Sequence, residues 1–266
     1  MTKTRTHNHV ALLSGACGDI GRAAAIELAR RGVALGLADI LPPERAAQLL
    51  AELHDLGVAS RYDRVDVADA AAVERWAEGV QLSLGAITLV VAAAATVTIA
   101  SAMKVTSQQW QREIEVNLSG SFYTARAGAS QMLDAGRRGR IVFVGSWAAH
   151  APHANLPAYS VSKAGTRMLC QCMALELAGA GILVNEVAPG YVDAGLSAVV
   201  FRDTPGAREQ AQSRVPIGQL MTAEDVARQI AYLCLDASPH ITGSTLLMDG
   251  GLSLGTSPGT PKEPRQ

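Results

Sequence analysis

Residues 12–24 read LLSGACGDIGRAA, and the way they fold decides how the rest of the chain is read. An apolar run at 10–13 ends in Ser14. Gly15, Gly18 and Gly21 follow, and then an alanine-rich helical pattern begins. A strand, a glycine loop and a helix start in that order aim backbone N–H groups at a pyrophosphate, and the glycines admit its close approach. The glycines stand three apart rather than in the G-x-G-x-x-G spacing, so the loop alone is a weak signal. Asp19 adds a carboxylate. Turned toward a diphosphate it would cost binding energy; turned outward it complements the positive end of the helix dipole, which is the orientation expected.

The next strand adds weight. VALGLAD ends at Asp39, eighteen residues after Gly21, where a carboxylate accepts hydrogen bonds from an adenosine ribose. The same charge repels a 2′-phosphate, no Arg or Lys lies in the loop, and Ile40 follows the acid. NAD is therefore expected over NADP. The bland alternative for Asp39 is a polar residue at a strand-end turn.

Working outward, apolar runs at 10–14, 33–38, 58–65, 87–93, 139–145, 182–188 and 244–248 alternate with helical patterns. The first helix spaces Ile20, Ala24 and Leu28 four apart and stops at Gly32; the second starts after Pro42 and Pro43 and stops at Gly57. Asp69, Thr106 or Ser107, and Thr222 with Asp225 are expected helix starts. The Thr106 helix is expected to run through Trp110, Ile114 and Leu118, and the Thr222 helix to Leu235. Continuous apolar strands between helices predict a single doubly wound, Rossmann-like α/β domain: a parallel sheet of about seven strands, covered on both faces. That domain is placed at 10–254, between polar tails at 1–9 and 255–266.

At 266 residues the chain suits one such domain, and 48% hydrophobic residues suffice for its core. A net charge of -1 argues against nucleic acid or an anionic membrane as partner. No apolar signal segment precedes the first strand, and the stretch at 87–100 is too short to span a bilayer. Four cysteines in a chain this long read as reduced thiols, so a cytoplasmic location is expected. Cys170 and Cys172 stand two apart on a helix and point in different directions, so no metal site is assigned. Cys17 reads as a small filler.

Tyr159 and Lys163, in AYSVSKAG, share one helix face, where an ammonium would favour the phenolate for acid–base work. Ser146 stands thirteen residues earlier, at the end of the strand RIVFVGS. In an open α/β sheet such strand ends face the ligand crevice.

Over about residues 10–254 the chain resembles the classical short-chain dehydrogenase/reductase family. The resemblance rests on the SGACGDIG loop, Asp39, Asp66 with Val67, Asn117 in VNLSGSFYTAR, Ser146, Tyr159 with Lys163, VNEVAPG at 184–190, and ITGSTLLMDGG at 241–251. It implies that Tyr159 is the acid/base at the substrate oxygen, which Ser146 hydrogen-bonds. Lys163 would lower the Tyr159 pKa and hold the nicotinamide ribose, with Asn117 supporting its water relay. Ser14, Gly15, Gly18, Asp19, Ile20 and Gly21 would form the phosphate loop, Asp66 and Val67 would flank the adenine, and Ala93 and Ala95 would line the cofactor. Pro189, Gly190 and Val192 would lie beside the nicotinamide. The implied reaction is reversible hydride transfer between a secondary alcohol and its ketone, by a homotetramer.

The chain departs from the family pattern at several places. Asp19 replaces the middle glycine, and 92–95 is all alanine where Asn-Asn-Ala-Gly is usual, so Ala95 adds a methyl against the cofactor. Ala194 replaces a threonine that bonds the nicotinamide amide, at a cost on the order of 1 kcal/mol, and Ser14 replaces a threonine. These changes motivate an alternative, a nucleotide-binding sensor or structural subunit; an NADPH-dependent 3-oxoacyl reductase is disfavoured by Asp39. Residues 191–219 are expected to close over a small-molecule substrate contacted by Trp147, His150, His153, Tyr191 and Leu196. Leu196, Val199, Val200 and Phe201 form an apolar cluster there, either a lid face or ordinary helix core, and Arg202, Arg208 and Arg214 are the cations of the segment.

Overall fold

The computed structural model describes residues 9–195, 198, 201 and 205–255. The expected tails, apart from His9 and Gly255, lie outside the described residues, as do Leu196, Val199, Val200 and Arg202.

Seven strands form one parallel sheet in the order β3-β2-β1-β4-β5-β6-β7. They are β1 (Val10–Ser14), β2 (Ala34–Asp39), β3 (Ser60–Arg64), β4 (Leu89–Ala92), β5 (Gly139–Val144), β6 (Ile182–Pro189) and β7 (Thr245–Met248). Strand order reverses between β1 and β4, whose neighbouring ends are Ser14 and Ala92. That switch opens the crevice in which doubly wound sheets hold ligands. All seven expected strands form, with ends displaced by no more than two residues.

Alternation within the strands divides the core in two. Leu12, Val90, Ile141 and Phe143 face one layer, shared with Trp76, Val80, Met132 and Leu177. Leu13, Leu37, Val91 and Val142 face the other, shared with Leu28, Leu53, Val226 and Ile230. Successive side chains of a strand point to opposite faces, so a continuous apolar run serves both layers. The first layer is built from α3 (Ala70–Leu84), α5 (Gly120–Asp134) and α6 (Pro157–Leu177); the second from α1 (Asp19–Arg30), α2 (Ala47–Asp55) and α8 (Ala223–Ala231).

The helix starts follow their local chemistry. Asp69 accepts from the Ala72 N–H, and Thr106 and Gln109 form a reciprocal capping box ahead of α4 (Ser107–Glu113). Thr222 and Asp225 form another ahead of α8. Two expected helices differ in their second halves. The segment after α4 winds into a π-turn, Ile114–Ser119, before α5, and α8 gives way to a π-turn at Tyr232–Asp236. A π-turn inserts a residue that side-chain periodicity does not reveal, and such turns recur at functional sites. The first one contains Asn117. A further helix, α7 (Ala207–Arg214), lies in the segment between β6 and α8.

Candidate active site

The glycine loop is held by backbone contacts that no side chain would permit. A Cβ on Gly15, whose φ is +74°, would stand 2.7 Å from the Ala94 nitrogen. One on Gly21 would stand 2.0 Å from the Gly15 carbonyl oxygen. α1 thus begins directly on the loop, as a phosphate cradle requires. Ser14 Oγ accepts from the Ala93 N–H at 3.3 Å and joins the ends of β1 and β4.

Asp39 is fixed from two sides, by the Cys17 N–H at 2.9 Å and the Leu41 N–H at 3.2 Å. Its carboxylate, Asp66 and Val67 line a cavity of about 460 Å³ beyond Gly15 and Gly18. Arg112, which the sequence did not single out, also lines it and pairs with Asp66 at 2.9 Å. Nothing local marks Arg112: it comes from α4, far from Asp66 in sequence. Cys17 lies beside Tyr62, and burial pushes its thiol up rather than down, which suits a filler rather than a reactive thiolate.

Asp19 occupies the first turn of α1 and is exposed, but it is not simply solvated and it does not turn wholly outward, since it also lines the cavity that holds Tyr159 and Lys163. Its Oδ2 accepts from the Gly195 N–H at 2.6 Å, so the residue replacing a loop glycine is tied to the chain leaving β6.

A second cavity, about 190 Å³, shares Gly15, Gly18, Ala93 and Ala95 with the first. It is lined further by Asp19, Ile20, Gly21, Ser146, Tyr159, Lys163, Pro189, Gly190, Val192 and Ala194. Lys163 is 2% exposed; its Nζ donates to the Val144 carbonyl at 2.8 Å and stands 5.7 Å from the centre of the Tyr159 ring. Burial lowers its pKa to about 8, against the opposing pull of the Glu186 carboxylate. Burial also raises the Tyr159 phenol, opposed by a hydrogen bond with Ser146. The ammonium expected to favour the phenolate is thus not what sets the direction here. It is spent on a carbonyl and is itself weakened by desolvation.

Asn117 uses its side chain on structure. Its Oδ1 accepts from the Thr96 N–H at 2.8 Å, and its Nδ2 donates to the Thr96 carbonyl at 2.9 Å and to Ser162 Oγ at 3.1 Å. It therefore fixes the chain that follows the alanine strand end. Two buried acids that the sequence did not single out lie nearby. Glu113 accepts from the Thr98 N–H at 2.7 Å, and Glu186 accepts from Thr245 Oγ1 at 2.5 Å. Burial raises the pKa of both. Each lies inside an otherwise ordinary pattern, so no sequence signal separates it from a solvated acid.

A third cavity, about 570 Å³, shares Ser146, Tyr159 and Gly190 with the second. Trp147, His153 and Tyr191 line it and touch edge to face, with ring centres 4.2 Å and 5.2 Å apart. His153 is held by the Ala151 carbonyl at 2.8 Å, and burial lowers its pKa against the opposing pull of that hydrogen bond. His150 is not in this lining; its Nε2 is buried without a hydrogen-bond partner among the described residues. Cys170 is buried and Cys172 exposed, as opposite helix faces require.

The family model described as "Enoyl-(Acyl carrier protein) reductase" matches residues 15–253. A cis-4-hydroxycyclohexanecarboxylate dehydrogenase from Sinomonas cyclohexanicum is 35% identical over 91% of this chain and 95% of its own. Among solved structures, an NAD+-bound xylitol dehydrogenase aligns with a TM-score of 0.85 and 28% identity, over 93% of this chain and 100% of its own. A proposed NAD(P)-dependent gluconate 5-dehydrogenase from Beutenbergia cavernae, with NADP bound at low occupancy, gives 0.85 and 28% over 94% and 98%. The family match runs from the glycine loop to the turn after β7, and this chain therefore belongs to the classical short-chain dehydrogenase/reductase family.

Proposed function

We propose that the protein is an NAD-dependent dehydrogenase that interconverts a secondary alcohol and its ketone. The observation that carries this reading is the continuity of the three cavities: Asp39 lines the first, Ser146, Tyr159 and Lys163 the second, and Ser146 and Tyr159 also the third. A nicotinamide dinucleotide fits the residues present, because the loop at Gly15 and Gly21 has no room for a Cβ and Asp39 is preset by two N–H donors. When bound, the dinucleotide supplies the hydride acceptor or donor.

The remaining chemistry is proton handling by the chain. Tyr159 takes or gives the proton at the substrate oxygen, and Ser146 hydrogen-bonds that oxygen. Lys163 holds its Nζ 5.7 Å from the centre of the phenol ring and, with a pKa lowered to about 8, passes a proton onward. Asn117 positions the segment at Thr96 that borders the site. Asp39 supports NAD over NADP, since a 2′-phosphate would meet its carboxylate. Val161, Met168 and Leu175 stand seven apart on α6 and are 49%, 59% and 86% exposed. Their stripe supports a homotetramer built on that helix.

The test is Tyr159→Phe, assayed with NAD+ and a panel of secondary alcohols. Loss of at least ~100-fold in turnover, with NADH affinity kept, is the expected result. A wild type that binds neither NADH nor NADPH sinks the reading. One that binds cofactor but turns over no alcohol favours the sensor alternative.

A further inference from the structure

We infer that the substrate carries a carboxylate or another anionic group, and that Arg214 recognises it. The inference rests on the alcohol dehydrogenase reading above and names the substrate class for that site.

The cavity that shares Ser146 and Tyr159 is walled mainly by apolar groups: Val97, Ile99, Trp147, Leu156, Tyr191 and Phe201. No aspartate or glutamate lines it among the described residues, and burial lowers the His153 pKa, away from a charged ring. Among the described residues Arg214 is the one charged side chain in that lining. An apolar chamber with a single guanidinium favours a ligand with an apolar body and one anionic end. At about 570 Å³ it has the size of a small-molecule site and holds a ring or a short branched chain.

Arg208, the other cation of this segment among the described residues, does not compete. Arg208 is committed to Asp193, with its Nε donating at 2.9 Å, and Arg202 lies outside the described residues. Arg214 has no ion-pair partner among the described residues. Its backbone is also well anchored, although it belongs to a segment expected to move. It ends α7, and Val215 beside it is buried under the turn after β7, where a Cβ on Gly250 would come within 2.6 Å of Val215 Cγ1. Ile217 N–H donates to the Gly250 carbonyl at 3.3 Å, and Gln212 Nε2 donates to the Gly218 carbonyl at 3.0 Å. Arg214 is exposed and extends from a pinned helix end, and the planar fork of a guanidinium matches a carboxylate in two parallel hydrogen bonds.

A plainer role for Arg214 is to complement the C-terminal dipole of α7. The two roles predict different readouts. The probes are the 3- and 4-hydroxycyclohexanecarboxylates and their carboxamides, which are near in shape but uncharged, assayed with NAD+ on the full chain. The acids are expected to exceed the amides in kcat/KM by about 10-fold or more, mostly through KM. Arg214→Gln should bring that ratio close to one, and Arg214→Lys, which keeps the charge without the fork, should fall between. Equal turnover of acid and amide by the wild type overturns the inference and leaves the dehydrogenase reading standing. A ratio retained in Arg214→Gln, with only a lower Tm, overturns it in favour of the helix-end role. Failure to oxidise any of these probes, together with every uncharged secondary alcohol tried, removes the dehydrogenase reading and this inference with it.

Discussion

The Asp19 carboxylate holds the Gly195 N–H at 2.6 Å across 176 residues of sequence, joining the first turn of α1 to the chain that leaves β6. Both residues line the cavity that contains Tyr159 and Lys163. A negative charge and a tether therefore stand where the glycine loop meets the chain that leaves β6. Replacing Asp19 removes both at once.

Asp19→Gly should tighten dinucleotide binding by about 5- to 10-fold at low salt, since a like charge near a diphosphate opposes it. The gain should shrink as ionic strength rises, because exposed charges are screened. NADH fluorescence titrations at low and high salt read this directly. Weaker binding at both would show that the tether to Gly195 matters more than the charge.

Asp39 should decide between the two dinucleotides. Asp39→Ala leaves the Cys17 and Leu41 N–H groups without their carboxylate partner and removes the proposed ribose acceptor. NADH affinity should fall by about 10-fold or more while NADPH affinity rises, as the repulsion of a 2′-phosphate disappears. Parallel titrations with both cofactors check it. A wild type that already prefers NADPH would contradict the assignment.

The buried lysine should leave a signature in stability at alkaline pH. Lys163 has a pKa of about 8 when folded against an ordinary value of 10.5. Between those limits the unfolded chain binds more protons than the native one, so stability rises with pH across the window. Below about pH 8 both states are protonated and this contribution is absent. The Tm of the cofactor-free wild type, minus that of Lys163→Met, should therefore climb from pH 8 to 10. Glu186 pulls the lysine pKa upward, so in Glu186→Gln the climb should begin below pH 8. Calorimetry across pH 7–10.5 tests both, and a flat difference curve would contradict the assignment of Lys163.

Packing of α3 on the sheet depends on a missing side chain. A Cβ on Gly36 in β2 would lie 2.3 Å from Val80 Cγ2. Gly36→Ala should cost about 1–3 kcal/mol by overpacking. Val80→Ala alone should also destabilise, yet the double variant should recover part of the loss, giving a coupling energy of about 0.5 kcal/mol or more. Urea midpoints of the four proteins close the cycle. Strict additivity would mean that α3 shifts freely.

Much of this molecule was settled by local sequence. The seven apolar runs, the caps at Asp69, Thr106 and Thr222, and the glycine loop each depend on residues within a few positions of one another. So does the pairing of Tyr159 with Lys163 on one helix face. Backbone hydrogen bonds, dihedral limits and short periodicities act over that range, so the strands and most helices are legible from it. The π-turn around Asn117 was not, because winding by one extra residue responds to how α4, α5 and α6 pack together. Which of Arg208 and Arg214 is spent on Asp193, and which of His150 and His153 lines the cavity beside Ser146 and Tyr159, was likewise set by tertiary structure. The same holds for the Lys163 bond to Val144 and the Asp19 bond to Gly195. Each joins groups that meet only after strands and helices cross in the folded domain. Charge and hydrogen-bonding capacity are written in the residue, but the partner that uses them is chosen by the packing of distant elements.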